Sequence, residues 1–588
     1  MKKFLTAIAA AIMVMSMAGQ AQANYITIEN NGKVPVRDVL EQAGGVVEWN
    51  SSSNTAYLWH NGIQVVVALN SIEAEKNGET VMLQNAAALE QGSLVLAAPD
   101  FEALFDVTLR KVEGQLVINA SSYNQTGGWK RSSPEEQGMN SDVLAQMLEK
   151  VKEENIPLDS LLILKNGYLV SETYFYPYQA QTLHAVNSCT KSVLSALCGI
   201  AIEQGYLSGV DQRVADFYPE LFQAEEDTRR EQLTVEHLLT LTAGLNTMND
   251  IDYQAFLQAQ DRPLFVLFQP FAETPGEAFR YDNWATHILA GVLNRATGMD
   301  LEDYAQQVLF GPLGITQYQW TTDNNGLHTG GYGLSFLPED MLKIGYLYLR
   351  EGKWNGQQII PKEWVRESVM TKVDAGGGKG YGYLWWTGLA EGVYYAHGYG
   401  GQYILVMPQE ELVVAMTSHF SDNDRAESVF QQLMTQFVFP AIQETKGDSE
   451  SLKQLQQQIA IGESHPVAAY PPTAQAISGT VYTIQEKSGL KQIQLWFARG
   501  VCTVSLNDEL IPVGMDGRYR FSQKNPNVGW MGQWTDYQEF QLIRRDLTNL
   551  EQQTFSLQFA EKKVQIVVRQ QDGQIITVLT GEKKGYQE

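Results

Sequence analysis

The residues of this chain best placed to do chemistry are Ser188 and Lys191, in the stretch HAVNSCTKSVLSALCGIAIEQG, residues 184–205. If Ser188 begins a helix, Lys191 lies one turn on, on the same face and within side-chain reach. A serine hydroxyl is a weak nucleophile until a neighbouring base takes its proton. Lysine can be that base when desolvation or nearby positive charge lowers its pKa. The apolar spacing of Val193, Leu194, Leu197, Ile200 and Ala201 predicts a helix that buries its own start and ends at Gly205. Serine is equally a preferred N-cap. A chain of this length should carry on the order of two Ser-x-x-Lys tetrads by chance, and a second is present, Ser488 to Lys491. The tetrad alone therefore does not separate a nucleophile from a cap.

Two later segments change that balance. GEAFRYDNWATHILAGVL places Tyr281, Asp282 and Asn283 just before another apolar helical stretch. A tyrosine near the serine could relay a proton to a leaving group, and an asparagine amide could hold a substrate carbonyl. VYYAHGYGGQYILVMP reads as two strands joined by glycines, the first ending at His397-Gly398-Tyr399, with Gly400 next. Glycine lets a substrate approach the backbone closely, and a backbone N–H there could complete an oxyanion hole with that of Ser188.

In this order, serine–lysine, Tyr-x-Asn and a glycine-rich strand pair, the segments resemble the serine β-lactamase and penicillin-binding-protein superfamily. The branch they resemble is the class C β-lactamase-related hydrolases, which include esterases, D-amino-peptide hydrolases and 6-aminohexanoate-dimer hydrolases. LTVEHLLTLTAGL, GGYGLSFLPEDMLKIGYLYLREGKWNGQQIIPKEWV and YGYLWW carry the same resemblance, over residues 128–445. It implies Ser188 as acylated nucleophile, Lys191 as its base or proton partner, Tyr281 assisting acylation and deacylation, and Asn283 contacting substrate. It sets His397, Gly398, Tyr399 and Gly400 among the substrate-binding residues, His397 standing where β-lactamases carry the lysine of Lys-Thr-Gly and Gly400 in the region of the oxyanion donor. A fixed ammonium there would pair with a substrate carboxylate; a neutral histidine does so poorly. The departure favours an ester or amide substrate over penicillins and peptide C-termini. Asp282, where serine is common, makes the site more acidic.

Around these residues the chain divides into regions. Residues 24–120 alternate short apolar runs with turns, in two related half-repeats that set strands beside a helix. They resemble the copper amine oxidase N-terminal-like domain, and no metal-ligand cluster is visible in them. SSYNQTGGWKRSSPEEQG reads as a linker. KGDSESLKQLQQQ reads as a polar helical connector. From about residue 470 to 588 period-two patterning predicts an antiparallel barrel or sandwich. The expected fold is thus multidomain. An α+β β-lactamase-like domain, with an antiparallel sheet flanked by helices and a helical subdomain, sits between a small α+β module and an all-β module.

Composition narrows the partners. Formal net charge is −25, from 42 Lys+Arg against 67 Asp+Glu, which disfavours nucleic acid and anionic membranes. Cys189 and Cys198, nine residues apart on one helix, would lie about 13 Å apart along its axis and cannot pair. Neither HExxH nor paired CxxC occurs, so no metal or other cofactor is expected. Lys2 and Lys3, an apolar run from Phe4 to Met17 and Ala21-Gln22-Ala23 read as an export signal cut after Ala23. The run is too short to span a membrane, and no second candidate span follows. The expectation is an exported serine hydrolase, periplasmic or at the cell surface, acting on a small-molecule or peptide substrate. Its rivals are a peptidoglycan D,D-peptidase or β-lactamase, with cell-wall components as partners, and an inactive surface protein that binds a ligand without turnover.

Overall fold

The computed structural model describes residues 27–28, 33–37, 40, 46–50, 53–119 except 61–62, 77–78, 91, 106–107 and 113–114, and 128–584 except 224–226, 247–252, 443–446, 486–488, 499–500 and 523. The expected export signal and Ser488 of the second tetrad lie outside these. The chain forms two units, Met1–Ser132 and Ser133–Glu588. In the first, strands Val46–Asn50, Thr55–His60, Ile63–Ala68, Glu73–Lys76 and Glu79–Met82 pair antiparallel in chain order. Ala56, Leu58, Val65 and Val67 alternate into the core, where Phe101, Leu104 and Phe105 of the helix Ala98–Phe105 meet them. The Asp100 carboxylate accepts from the N–H groups of Gln84 (2.6 Å) and Asn85 (3.0 Å), holding that helix against the preceding turn.

In the second unit the elements that position the site are, in chain order, α1 (Ser141–Glu153), β1 (Leu158–Lys165), β2 (Tyr168–Tyr174), α2 (Cys189–Glu203), α3 (Trp284–Thr297), α4 (Pro338–Leu349), β3 (Val373–Gly376), β4 (Lys379–Tyr381), β5 (Trp386–Thr387), β6 (Tyr394–Gly398), β7 (Gln402–Met407), β8 (Leu412–Ser418), α5 (Asn423–Leu433) and α6 (Ser449–Ile461). The strands form an antiparallel sheet in the order β2-β1-β8-β7-β6-β5-β4-β3. Every residue of β1, β7 and β8 is buried, because helices cover both faces of the sheet centre. One face packs Leu161, Ile163, Tyr395, Tyr403, Leu405 and Val414 against α1, α5 and α6. The other receives α4, whose Gly345 backs onto Val413 and Ile404.

The predicted helix after Ser188 is α2, and Gly205 follows it with φ 78°. It buries every residue from Cys189 to Ala201. Cys189, Cys198 and Cys502 are all free and buried. The C-terminal region is a ten-stranded antiparallel sheet that closes nearly to a barrel through a bridge between Gly514 and Met531. Its strands β9 (Glu539–Asp546) and β10 (Gln552–Phe559) show the expected alternation, Phe540 and Leu542 turning inward. The architecture is the multidomain one expected from sequence, its first module being richer in strand than in helix among the described residues. Among the described residues no helix is long and apolar enough to cross a membrane.

Candidate active site

Ser188 stands at the N-cap position of α2, yet its side chain makes no capping hydrogen bond. Its Oγ lies 3.1 Å from Lys191 Nζ instead. Asn187, immediately before it, holds φ 48°, a left-handed conformation that asparagine tolerates better than most residues.

Lys191 is 1 % exposed, and its Nζ is fixed by two carbonyl oxygens, Asn283 Oδ1 at 2.6 Å and Gly331 O at 2.8 Å. Burial lowers its pKa to about 7, against the opposing pull of Asp282. A neutral amine has two N–H groups and one lone pair. The two carbonyls take both N–H groups, so the lone pair is left for the hydroxyl of Ser188. Asn283 reaches this point from the entry to α3, and Gly331 from a loop far along the chain. A side chain at Gly331 would stand 2.8 Å from Asn283 Oδ1 and 3.2 Å from Lys191 Nζ, so only glycine leaves the lysine its seat.

The Tyr281 ring lies 4.9 Å from Lys191 Nζ, beside Ser188, and desolvation raises the pKa of its hydroxyl, keeping it protonated. Its ring stacks on Trp386 at 5.6 Å and meets Tyr381 edge-on at 6.3 Å, so β4 and β5 give the site an aromatic wall. The Asp282 carboxylate accepts from Ala285 N–H at 2.8 Å, capping α3. Burial raises its pKa. It acts on the helix start and on Lys191 more than on an incoming substrate.

Gly398 ends β6 against the serine turn. A Cβ there would fall 2.2 Å from Val186 O and 3.1 Å from Ser188 N, so the strand and helix start can meet only at glycine. On its other edge β6 pairs with β5 only at Tyr394 and Tyr395, leaving Ala396 to Gly398 without a strand neighbour there. Among the described residues neither Ser188 N–H nor Tyr399 N–H has a hydrogen-bond partner. Asn187 Nδ2 donates to Tyr399 O at 2.8 Å and ties the two turns together.

Two expectations need correction. Gly400 N–H already donates to Asn423 Oδ1 at 3.3 Å, which leaves the Tyr399 amide as the free donor of that turn. His397 does not take the lysine's place. Alternation along β6 puts it on the face opposite Gly398, where its ring stacks on Tyr403 at 4.5 Å and 4°, and Tyr403 in turn stacks on Phe430. In Lys-Thr-Gly the lysine shares the glycine's face, and here that residue is Ala396. Burial lowers the His397 pKa to about 4, so it is neutral near pH 7. Lys379, whose charge acts on His397, is paired with Glu427.

The sequence reading missed Asn187, Gly331, Tyr381 and Trp386. Asn187 was readable as a left-handed asparagine before a helix; Gly331, Tyr381 and Trp386 lie in segments that carry the family resemblance, GGYGLSFL and YGYLWW, but those segments give them no role. It also missed a cluster in which the buried His328 has Asp300 3.1 Å from Nδ1 and Glu302 3.1 Å from Nε2. The two carboxylates flank opposite nitrogens of one imidazole.

Residues 143–433 match the family model described as Beta-lactamase. The chain carries a β-lactamase-family domain. Residues 17–118 match the copper amine oxidase N-terminal domain. The chain is similar to the 6-aminohexanoate-dimer hydrolase of Paenarthrobacter ureafaciens, 24% identical over 328 residues that cover 50% of this chain and 81% of that protein. It is also similar to the monacolin J acid methylbutanoyltransferase of Aspergillus terreus, 29% identical over 163 residues, 24% of this chain and 38% of that one. A solved family VIII carboxylesterase aligns with a TM-score of 0.44 at 18% identity, over 53% of this chain and 98% of that one. Within the β-lactamase-family domain lie Ser188, Lys191, Tyr281 and Asn283, and the match ends at the last residue of α5.

Proposed function

We propose that the chain is an exported serine hydrolase that cleaves an ester or amide through a Ser188 acyl-enzyme. The observation that carries this reading is the buried amine of Lys191, its pKa lowered to about 7, 3.1 Å from Ser188 Oγ. Neutral Lys191 takes the hydroxyl proton as Oγ attacks the substrate carbonyl. The N–H groups of Ser188 and Tyr399 bind the oxyanion of the tetrahedral intermediate. Tyr281, kept protonated, passes a proton to the leaving oxygen or nitrogen and takes one back from the water that releases the acyl group, while Lys191 returns its proton to Oγ as the acyl bond breaks. Asn283 and Gly331 O hold the amine in place throughout. The open edge of β6 and the rings of Tyr281 and Trp386, with Tyr381 buried behind them, suit an uncharged, partly apolar substrate.

The D,D-peptidase and β-lactamase readings need a cation for the substrate carboxylate. Ala396 on the serine side and a neutral His397 on the other weigh against them. Export rests on the N-terminal lysines, the apolar run and Ala21-Gln22-Ala23. The deciding experiment is intact-mass analysis of protein recovered from the producing cells, treated with a fluorophosphonate or with a penicillin, beside Ser188→Ala. Expected are a mass lacking residues 1–23, a Ser188-dependent phosphonate adduct, turnover of p-nitrophenyl esters and little penicillin adduct. Ester cleavage equal to that of Ser188→Ala, with no adduct, would sink the mechanism and leave a binding protein. Rapid penicillin labelling would move the reading to the peptidase branch.

A further inference from the structure

Arg545 breaks the pattern of its strand. In β9 the inward positions are Phe540 and Leu542, so Arg545 belongs to the outer face of the C-terminal sheet, yet it is 1 % exposed. Its guanidinium is buried against the β-lactamase-family domain: Nη2 donates to Tyr178 Oη at 3.0 Å and lies 3.5 Å from Asp159 Oδ2. Asp159, also 1 % exposed, starts β1 and holds two imidazoles. Its Oδ2 is 2.8 Å from His184 Nε2 and its Oδ1 is 2.7 Å from His419 Nδ1. Burial would push this carboxyl up; the charges of His419 and Arg545 and the two imidazole hydrogen bonds outweigh it, so it stays ionised.

The two imidazoles sit at the roots of the two turns that make the site. His184 lies four residues before Ser188, on the short strand that leads into Asn187. His419 follows β8, where Phe420 N–H donates to Gly400 O at 3.1 Å and Ser418 Oγ donates to the carbonyls of Gly400 and Gly401. The turn joining β9 to β10 also reaches the glycine turn: a Cβ on Gly400 would fall 2.3 Å from Leu550 Cδ1.

We infer that the C-terminal sheet is a working part of the active site. Arg545 acts as a positioning residue that, through Asp159, His184 and His419, fixes the distance between the Ser188 and Tyr399 amides, and Leu550 braces the turn between them. The inference rests on the acyl-enzyme reading above. Truncating a buried guanidinium that balances a buried carboxylate lets both roots shift, and misplacement of about 1 Å at a reacting centre can cost on the order of 100-fold in rate.

The test uses the full chain with Arg545→Met, Arg545→Lys and Leu550→Ala, measured well below each variant's melting temperature. The readouts are the rate of fluorophosphonate labelling of Ser188, and kcat and KM on a p-nitrophenyl ester. Expected for Arg545→Met is a fall in labelling rate and kcat of about tenfold or more with KM little changed, since positioning of the oxyanion donors is lost while the binding surface stays. Arg545→Lys, which keeps the charge, should recover most of it, and Leu550→Ala should lower kcat by about threefold or more. A lower melting temperature with wild-type labelling and kcat in folded Arg545→Met would overturn the inference. Should Arg545→Met fail to fold, Leu550→Ala decides, and wild-type kcat in that variant is equally fatal. Absence of Ser188-dependent labelling in the wild type is a different failure, of the hydrolase reading itself, and the inference falls with it.

Discussion

Lys191 is costly to the fold, and the cost has the sign of a functional group. Its pKa in the folded chain, about 7, lies below the ordinary lysine value of 10.5. Between these pH values the unfolded chain binds a proton that the native chain does not, so native stability rises with pH through this window. Below pH 7 the penalty is fully present. Lys191→Met should therefore melt at or above the wild type at neutral pH, with the difference shrinking as pH rises toward 10. The same variant should lose about 100- to 10,000-fold in Ser188 labelling, the usual worth of a positioned base. In the wild type the labelling rate should climb with pH to a midpoint near 7. Lys191→Arg, whose guanidinium keeps its proton, should be as slow as Lys191→Met. A flat pH profile would remove lysine from the base's role. Tyr281→Phe keeps the stack on Trp386 and deletes only the hydroxyl. It should lower ester kcat by about 10- to 100-fold with little change in melting temperature.

At the scale of elements, the site depends on how closely a strand can approach a helix start. Gly398 is the point of closest contact, and a methyl group there would fall 2.2 Å from Val186 O. Gly398→Ala should push β6 away from the serine turn, separating the Tyr399 and Ser188 amides. We expect about 100-fold loss of kcat and a lower melting temperature. Gly489→Ala, at a glycine with nothing within 4 Å of its Cβ position, should change neither. Local pattern explains what the sequence made legible here. The apolar spacing after Ser188 and after Asn283 and the two-residue alternation of the C-terminal strands are properties of single elements, and they mark where those elements begin. The seat of Lys191 needs Gly331, 140 residues away, and the aromatic wall needs β4 and β5 beside Tyr281. Such contacts leave no period in the chain. His397 was misplaced for the opposite reason. The motif could be read in two registers one residue apart, and in a strand a shift of one residue exchanges the faces.

Across the molecule, the buried group of Asp159, His184, His419 and Arg545 joins residues nearly 400 positions apart and has its own acid signature. The Asp159 carboxyl titrates below its ordinary value of 3.8, so the stability it supplies is fully present above that pH and is lost as the pH falls below it. Asp159→Asn removes this pH-dependent share and leaves Arg545 as a buried cation without its anion. That should cost about 3–5 kcal/mol at pH 7, read as a shift in the urea midpoint. Arg545→Met alone leaves the carboxylate with two imidazoles, one of which, His419, is kept less basic by burial and by Arg545 itself. With Arg545 gone, His419 can take up a proton more easily and restore part of the balance, so this loss should be smaller. In Asp159→Asn/Arg545→Met no unpaired charge remains, and the double variant should lose less than the sum of the single losses. Strict additivity would mean that the two groups do not interact, and would leave the seam between the sheets to apolar packing alone.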